Sequence, residues 1–241
     1  MAENVIQIPE SLNAQSVCEL KARVQRASRN DARVMVLRGS AELFCRGLDF
    51  EYLLTAGYKE FEPFVQDLVE CYLLIRYARK HVIAVVEGEA RGAGLGLAAA
   101  ADLLIAASGA EFGMPEVLFG LDPAVVMPIL RERLTPQTAR LFALSAHAWT
   151  AEEAQRCGLV DRVVPIESIR KETRNSVRRF SLANESAVAM VKAGGERGCD
   201  PLRQEIEMAA RQTLATMREP HVRERIRRYL VEGVAPWRQG R

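Results

Sequence analysis

Apolar and polar positions alternate in residues 5–8 (VIQI) ahead of a proline, the period of a short strand. Residues 11–27 change to a 3.6-residue rhythm, with Leu12, Val17, Leu20 and Val24 on one stripe, which predicts an amphipathic helix. Three later runs are apolar without alternation: 33–38 (RVMVLR), 81–87 (HVIAVVE) and 102–107 (DLLIAA). Short β-branched runs of this kind predict strands buried on both faces. Residues 111–113 and 159–164 add two shorter candidates. Between the runs, 39–49 and the glycine-rich 88–96 (GEARGAGLG) lack a period and are expected to be loops, whereas 97–101 favours helix.

Residues 51–80 predict one short and one long helix separated near Gly57. Helical rhythm then dominates 125–133, 135–146, 151–157, 165–181, 185–194 and 201–232, the last broken at Pro220. Strands alternating with helices imply βαβ units and a mostly parallel sheet. The expected organisation is an α/β core over residues 1–195 and a C-terminal helical region over 196–241.

With 49% hydrophobic residues in 241, the chain is far from a disordered composition. Its 33 Lys and Arg against 31 Asp and Glu leave a formal charge of +2, so no whole-molecule field favours nucleic acid or a membrane surface. The arginines dense near the C-terminus are expected on the solvated outer face of long helices. Cys18, Cys45, Cys71, Cys157 and Cys199 are scattered without a CxxC pair, and His81, His147 and His221 have no metal spacing. Reduced thiols and the absence of a metal site are therefore expected. The N-terminus lacks the order of a signal peptide, and the longest apolar stretch, 95–107, is interrupted by Asp102 and falls short of the roughly 20 residues that span a bilayer. A cytoplasmic protein is expected.

Candidate chemistry sits in the two glycine-bearing stretches that follow buried strands, since ligands of parallel sheets bind beyond the carboxyl ends of the strands. The second opens a helix, whose first N–H groups lack intrahelical partners and suit a phosphate or a carbonyl oxygen gaining negative charge. Gly92, Gly94 and Gly96 alternate, which is not the GxGxxG spacing of a dinucleotide fold.

Four blocks carry a resemblance: ELFCRGLDFEYL (42–53), IAVVEGEARGAGLGLAAAADLLIAA (83–107), AEFGMPEVLFGLDP (110–123) and WTAEEAQRCGLVDRVV (149–164). In order and spacing they resemble the crotonase, or enoyl-CoA hydratase/isomerase, superfamily. The resemblance implies a spiral of ββα units with a C-terminal helical region, and a homotrimer or hexamer. It also implies a thioester substrate carried on the phosphopantetheine of coenzyme A or an acyl carrier protein, with no further cofactor. Carried over by motif, the two backbone N–H donors of an oxyanion hole fall at Leu48 and Ala93. Hydratases of the superfamily usually bear two glutamates. Here the first position is Gly96 and the second is Glu116, so a single carboxylate would move the proton.

Residues 119–134 (FGLDPAVVMPILRERL) are similar to a pattern of dehydratases in polyketide β-branching cassettes, which remove water from a 3-hydroxy-3-methylglutaryl thioester on an acyl carrier protein. A substrate with a free carboxylate needs a cation, for which Arg91 and Arg46 flank the two oxyanion segments; Lys59, Arg76 and Arg79 are weaker candidates. Asp122, before Pro123, reads as a turn residue within reach of an acyl chain. Two other readings stay open: hydration or double-bond isomerisation of an acyl-CoA, and a crotonase-like binding or assembly protein without catalysis.

Overall fold

The protein is described here from a computed structural model covering residues 4–193 and 200–233. β1 (Asn4–Gln7) and α1 (Ala14–Arg29) lead into three repeated turns of chain. The first holds β2 (Val34–Arg38) and β3 (Leu43–Cys45), followed by α2 (Phe50–Thr55) and α3 (Tyr58–Arg76). The second holds β4 (His81–Val86), β5 (Glu89–Arg91) and α4 (Gly92–Ala99). The third holds β6 (Leu103–Ala107) and β7 (Glu111–Gly113), then α5 (Glu116–Phe119), α6 (Met127–Arg131) and α7 (Pro136–Ser145). Each turn gives one strand to each of two sheets, the spiral of ββα units expected from the sequence. β8 (Trp149–Thr150), α8 (Ala151–Arg156) and β9 (Arg162–Val164) complete the sheets, and α9 (Ile169–Phe180), α10 (Glu185–Lys192), α11 (Pro201–Met217) and α12 (Pro220–Glu232) follow.

The five-stranded sheet runs β1-β2-β4-β6-β9 with every neighbour parallel. The four-stranded sheet runs β3-β5-β7-β8, parallel except where β8 meets β7. Period two explains the continuous apolar runs. Met35, Leu37, Val82, Ala84, Val86, Leu104 and Ala106 face the main core, whereas Val34, Val36, Ile83, Val85, Leu103 and Ile105 pack under Ile169 of α9. Both faces of the sheet are thus covered.

Several expectations need correction. The stretches 39–49 and 88–96 each contain a strand, β3 and β5, whose three residues are too few to show a period. The strand expected over 159–164 is confined to Arg162–Val164, because the Leu159 and Val160 N–H groups both turn back to the Ala154 carbonyl at 2.8 and 3.2 Å. Residues 165–181 begin with a 3₁₀ turn, Ile166–Ser168, before α9. The boundary expected at 195/196 and Cys199 lie outside the described residues. Beyond that boundary, Ile206, Met217, Val222 and Ile226 bury themselves in the same core as Phe44, Tyr72 and Leu130.

Helix α4 organises the molecule. Its sequence, GAGLGLAA, carries no polar side chain and is buried over its whole length. Small residues let neighbouring backbone approach it closely. At its C-terminal end the Arg133 guanidinium donates to the carbonyls of Ala99 at 2.8 Å, Ala101 at 2.6 Å and Leu159 at 3.2 Å, and pairs with Asp161 at 2.9 Å. The Ala99 carbonyl, an orphan of a buried helix end, is thereby satisfied together with the carbonyls of two adjoining segments. Its N-terminal end opens on a cavity.

Candidate active site

β3 and β5 are neighbours, with Cys45 opposite Ala90, so the chain leaving β3 runs beside the start of α4. Leu12 pins that segment: its N–H donates to the Gly47 carbonyl at 2.8 Å and its carbonyl accepts the Asp49 N–H at 2.9 Å. Successive peptide groups of an extended chain face opposite ways, which leaves the Leu48 N–H on the side away from Leu12. Asp49 then caps α2, accepting the Tyr52 N–H at 3.1 Å, and the Asn13 amide holds its other oxygen at 3.1 Å. Ala93 is the second residue of α4, where an N–H has no intrahelical acceptor and the helix dipole is positive. The Tyr72 hydroxyl donates to the Ala93 carbonyl at 2.9 Å.

Glu116 opens α5 directly after Pro115. A helix N-terminus by itself would suit a carboxylate there. Its surroundings are of another kind. Gly92 has φ of +49°, and a Cβ at that position would stand 2.3 Å from Glu116 Oε1, so the glycine supplies both the backbone turn and the space for the carboxylate. Glu116 Oε2 is buried with no hydrogen-bond partner. Burial pushes the carboxyl from its ordinary 4.5 up to about 7, against the smaller opposing effect of its own backbone N–H.

A cavity of about 60 Å³ collects these groups: Leu48, Gly92, Ala93 and Glu116 all line it. Phe64 and Leu68 of α3 and Phe119 and Val125 supply apolar wall, and Thr213 and Met217 of α11 close it from above. Such a wall, with a few convergent polar groups, is the usual make-up of a small-molecule site. Asp122 and Arg46 also line it. Arg91 does not: its guanidinium turns to Glu111 at 2.8 Å and Glu89 at 3.4 Å. Arg76 is likewise engaged, with Glu132 at 2.7 Å.

At Gly96 the structure explains the missing glutamate in steric terms. A Cβ there would meet the Tyr72 hydroxyl at 2.6 Å and the ring carbon Cζ at 2.8 Å. The phenol fills that space, and its own ionisation is pushed well up by burial and by the neighbouring Glu116. Sequence reasoning missed Tyr72, Thr213 and Met217. Tyr72 looks like one more apolar position of α3, and residues of α11 are distant from the glycine loops along the chain. The pair Thr213 and Thr216, three apart on a helix, is the signal that was available.

The model of the enoyl-CoA hydratase/isomerase family matches residues 5–240. A probable enoyl-CoA hydratase of Rhodobacter capsulatus is 34% identical over 214 residues, covering 85% of this chain and 80% of that protein. The bacillaene synthase dehydratase PksH of Bacillus subtilis is 34% identical over 131 residues, covering 53% of this chain and 50% of that protein. The crystal structure of a putative polyketide biosynthesis enoyl-CoA hydratase (pksH) from Bacillus subtilis superposes with a TM-score of 0.84 at 24% identity, covering 98% of this chain and 97% of that one. The fold is that of crotonase, and the chain belongs to the enoyl-CoA hydratase/isomerase family of enzymes.

Proposed function

We propose that the protein is a hydro-lyase that dehydrates a 3-hydroxyacyl thioester, 3-hydroxy-3-methylglutaryl on an acyl carrier protein, to the 3-methylglutaconyl thioester of polyketide β-branching. The observation that carries this reading is Glu116, a buried carboxylate whose Oε2 has no partner, beside the N-terminus of α4, while the Tyr72 phenol occupies the space of a second glutamate. The likeness to PksH supports the choice of dehydration.

In the mechanism the thioester carbonyl accepts hydrogen bonds from the Leu48 and Ala93 N–H groups. Preorganised donors of this kind stabilise the enolate, each contributing about 3 kcal/mol in the transition state. The Glu116 carboxylate takes the α-proton. The β-carbon–oxygen bond then breaks, its electron pair leaves with the hydroxyl, and the Glu116 carboxyl returns the proton to make water. One carboxyl acting twice requires both groups to leave from the same face, a syn elimination. A carboxyl raised to about 7 is suited to both halves. Arg46 is the cation offered to the substrate's free carboxylate. No cofactor beyond the phosphopantetheine arm is needed, and the active assembly is a trimer or a pair of trimers.

A second reading, hydration or isomerisation of an enoyl-CoA, draws on the relative from Rhodobacter capsulatus, whose likeness spans more of the chain. Intact-mass measurement separates the readings. The protein is incubated with 3-hydroxy-3-methylglutaryl groups on an acyl carrier protein and on coenzyme A. Loss of one water, abolished in Glu116→Gln, is the expected result and ranks the carriers. No mass change on either would remove the dehydratase assignment, and simple enoyl-CoA substrates would then be tried.

A further inference from the structure

We infer that Asp122 binds the β-hydroxyl of the substrate and so selects hydroxylated acyl groups; this rests on the dehydratase reading above. Asp122 lines the same cavity as Glu116. The sequence suggests a turn residue, whose carboxylate would accept a nearby backbone N–H. It does not do so. The Val125 N–H goes to Thr213 Oγ1 at 3.1 Å, and among the described residues the Asp122 carboxylate has neither a hydrogen-bond nor an ion-pair partner.

The backbone of Asp122 is nevertheless held at two points by α11. Its N–H donates to Thr216 Oγ1 at 3.2 Å, and its carbonyl accepts from Thr213 Oγ1 at 3.4 Å. Pro123 restricts the next φ. A carboxylate on a clamped backbone, free of internal partners and facing an apolar cavity, is an acceptor that lacks a donor. Asp122 is half-buried, so a ligand that fills the cavity takes solvent from its carboxylate, and a donor brought by that ligand offsets the penalty. Close to the thioester, a 3-hydroxyacyl group offers one such donor, its β-hydroxyl.

Asp122 serves as an acceptor only. It accepts the hydroxyl hydrogen while Glu116 takes the α-proton; when the carbon–oxygen bond breaks, the departing oxygen keeps that hydrogen and gains the proton from Glu116. The water formed stays hydrogen-bonded to Asp122. An acyl thioester without a hydroxyl leaves the carboxylate unsatisfied, which is the stronger form of discrimination available to a binding pocket.

The test uses two thioesters of coenzyme A with the full chain. Dehydration is followed on the 3-hydroxy-3-methylglutaryl thioester. Exchange of the α-hydrogens with deuterium oxide is followed by mass on the 3-methylglutaryl thioester, which has no hydroxyl. Asp122→Asn and Asp122→Ala should lower dehydration about 10- to 100-fold, the loss of one hydrogen bond to a charged group, and leave exchange within about threefold. Retained exchange also demonstrates that the variants fold. An equal fall in both reactions, or no fall in dehydration, overturns the assignment. Glu116→Gln should abolish both; if it exchanges as well as wild type, the dehydratase mechanism fails and not the role of Asp122. Wild type that exchanges but never dehydrates would remove the hydroxyl from the substrate and with it this role.

Discussion

Tyr72 and Gly96 divide one space between them: the phenol lies where any side chain at position 96 would have to go, 2.6 Å from an added Cβ. The arrangement couples α3 to α4, because the same hydroxyl donates to the Ala93 carbonyl. Gly96→Ala should therefore destabilise the fold by about 1–3 kcal/mol, as overpacking of a tight core does. Combined with Tyr72→Val the clash disappears, and urea denaturation of the double-mutant cycle should give a favourable coupling above about 0.5 kcal/mol. Strictly additive losses would contradict the shared space.

Glu116 must be ionised to accept a proton. With its carboxyl raised to about 7 by burial, kcat/KM should climb as pH rises through that value and level off above it. Glu116→Gln should lower turnover by about 10²- to 10⁴-fold and erase that inflection. A pH–rate profile of both proteins is the measurement, and an inflection that survives in the variant would assign it to another group.

The same shift works against stability. A carboxyl whose folded-state pKa lies above its unfolded value holds its proton more tightly when folded. Its contribution is present below the ordinary carboxyl range and is lost as pH rises through about 7. Glu116→Gln should thus be more stable than wild type above that pH, by on the order of 3 kcal/mol, and similar to it in acid. Paired denaturation curves at the two extremes decide the matter.

Arg133 satisfies three carbonyls and one carboxylate around the far end of α4. Arg133→Met removes all four partners at once and should cost about 3 kcal/mol or more, since buried acceptors are left without donors. Arg133→Lys should recover less than half of that, because a single ammonium cannot reproduce the fork. Denaturant midpoints of the two variants would check the ranking.

The strands β2, β4 and β6 were legible because both of their faces are buried, and four or five apolar residues in a row leave a trace. β3, β5 and β8 have two or three residues each, and hydrogen bonding to neighbours, not composition, makes them strands. The motif blocks indicated Glu116, Leu48, Ala93 and Arg46, which the fold brings to one cavity. Arg91 looked equivalent to Arg46 in sequence and differs only through Glu89 and Glu111 beside it in space. Lys192 carried no signal at all. It is buried and reaches Asp102 at 2.6 Å, a pairing across ninety positions that no local pattern announces.

Thr213 and Met217 roof the cavity from the same chain that supplies Glu116. One chain thus carries both the base and this part of its cover, and Glu116→Gln removes the first while leaving the second in place. In mixtures of wild-type and Glu116→Gln chains, activity should follow the wild-type fraction in a straight line, however the chains are assembled. Truncation before α11, by contrast, should strip the cavity of Thr213 and Met217 while leaving Glu116 in place.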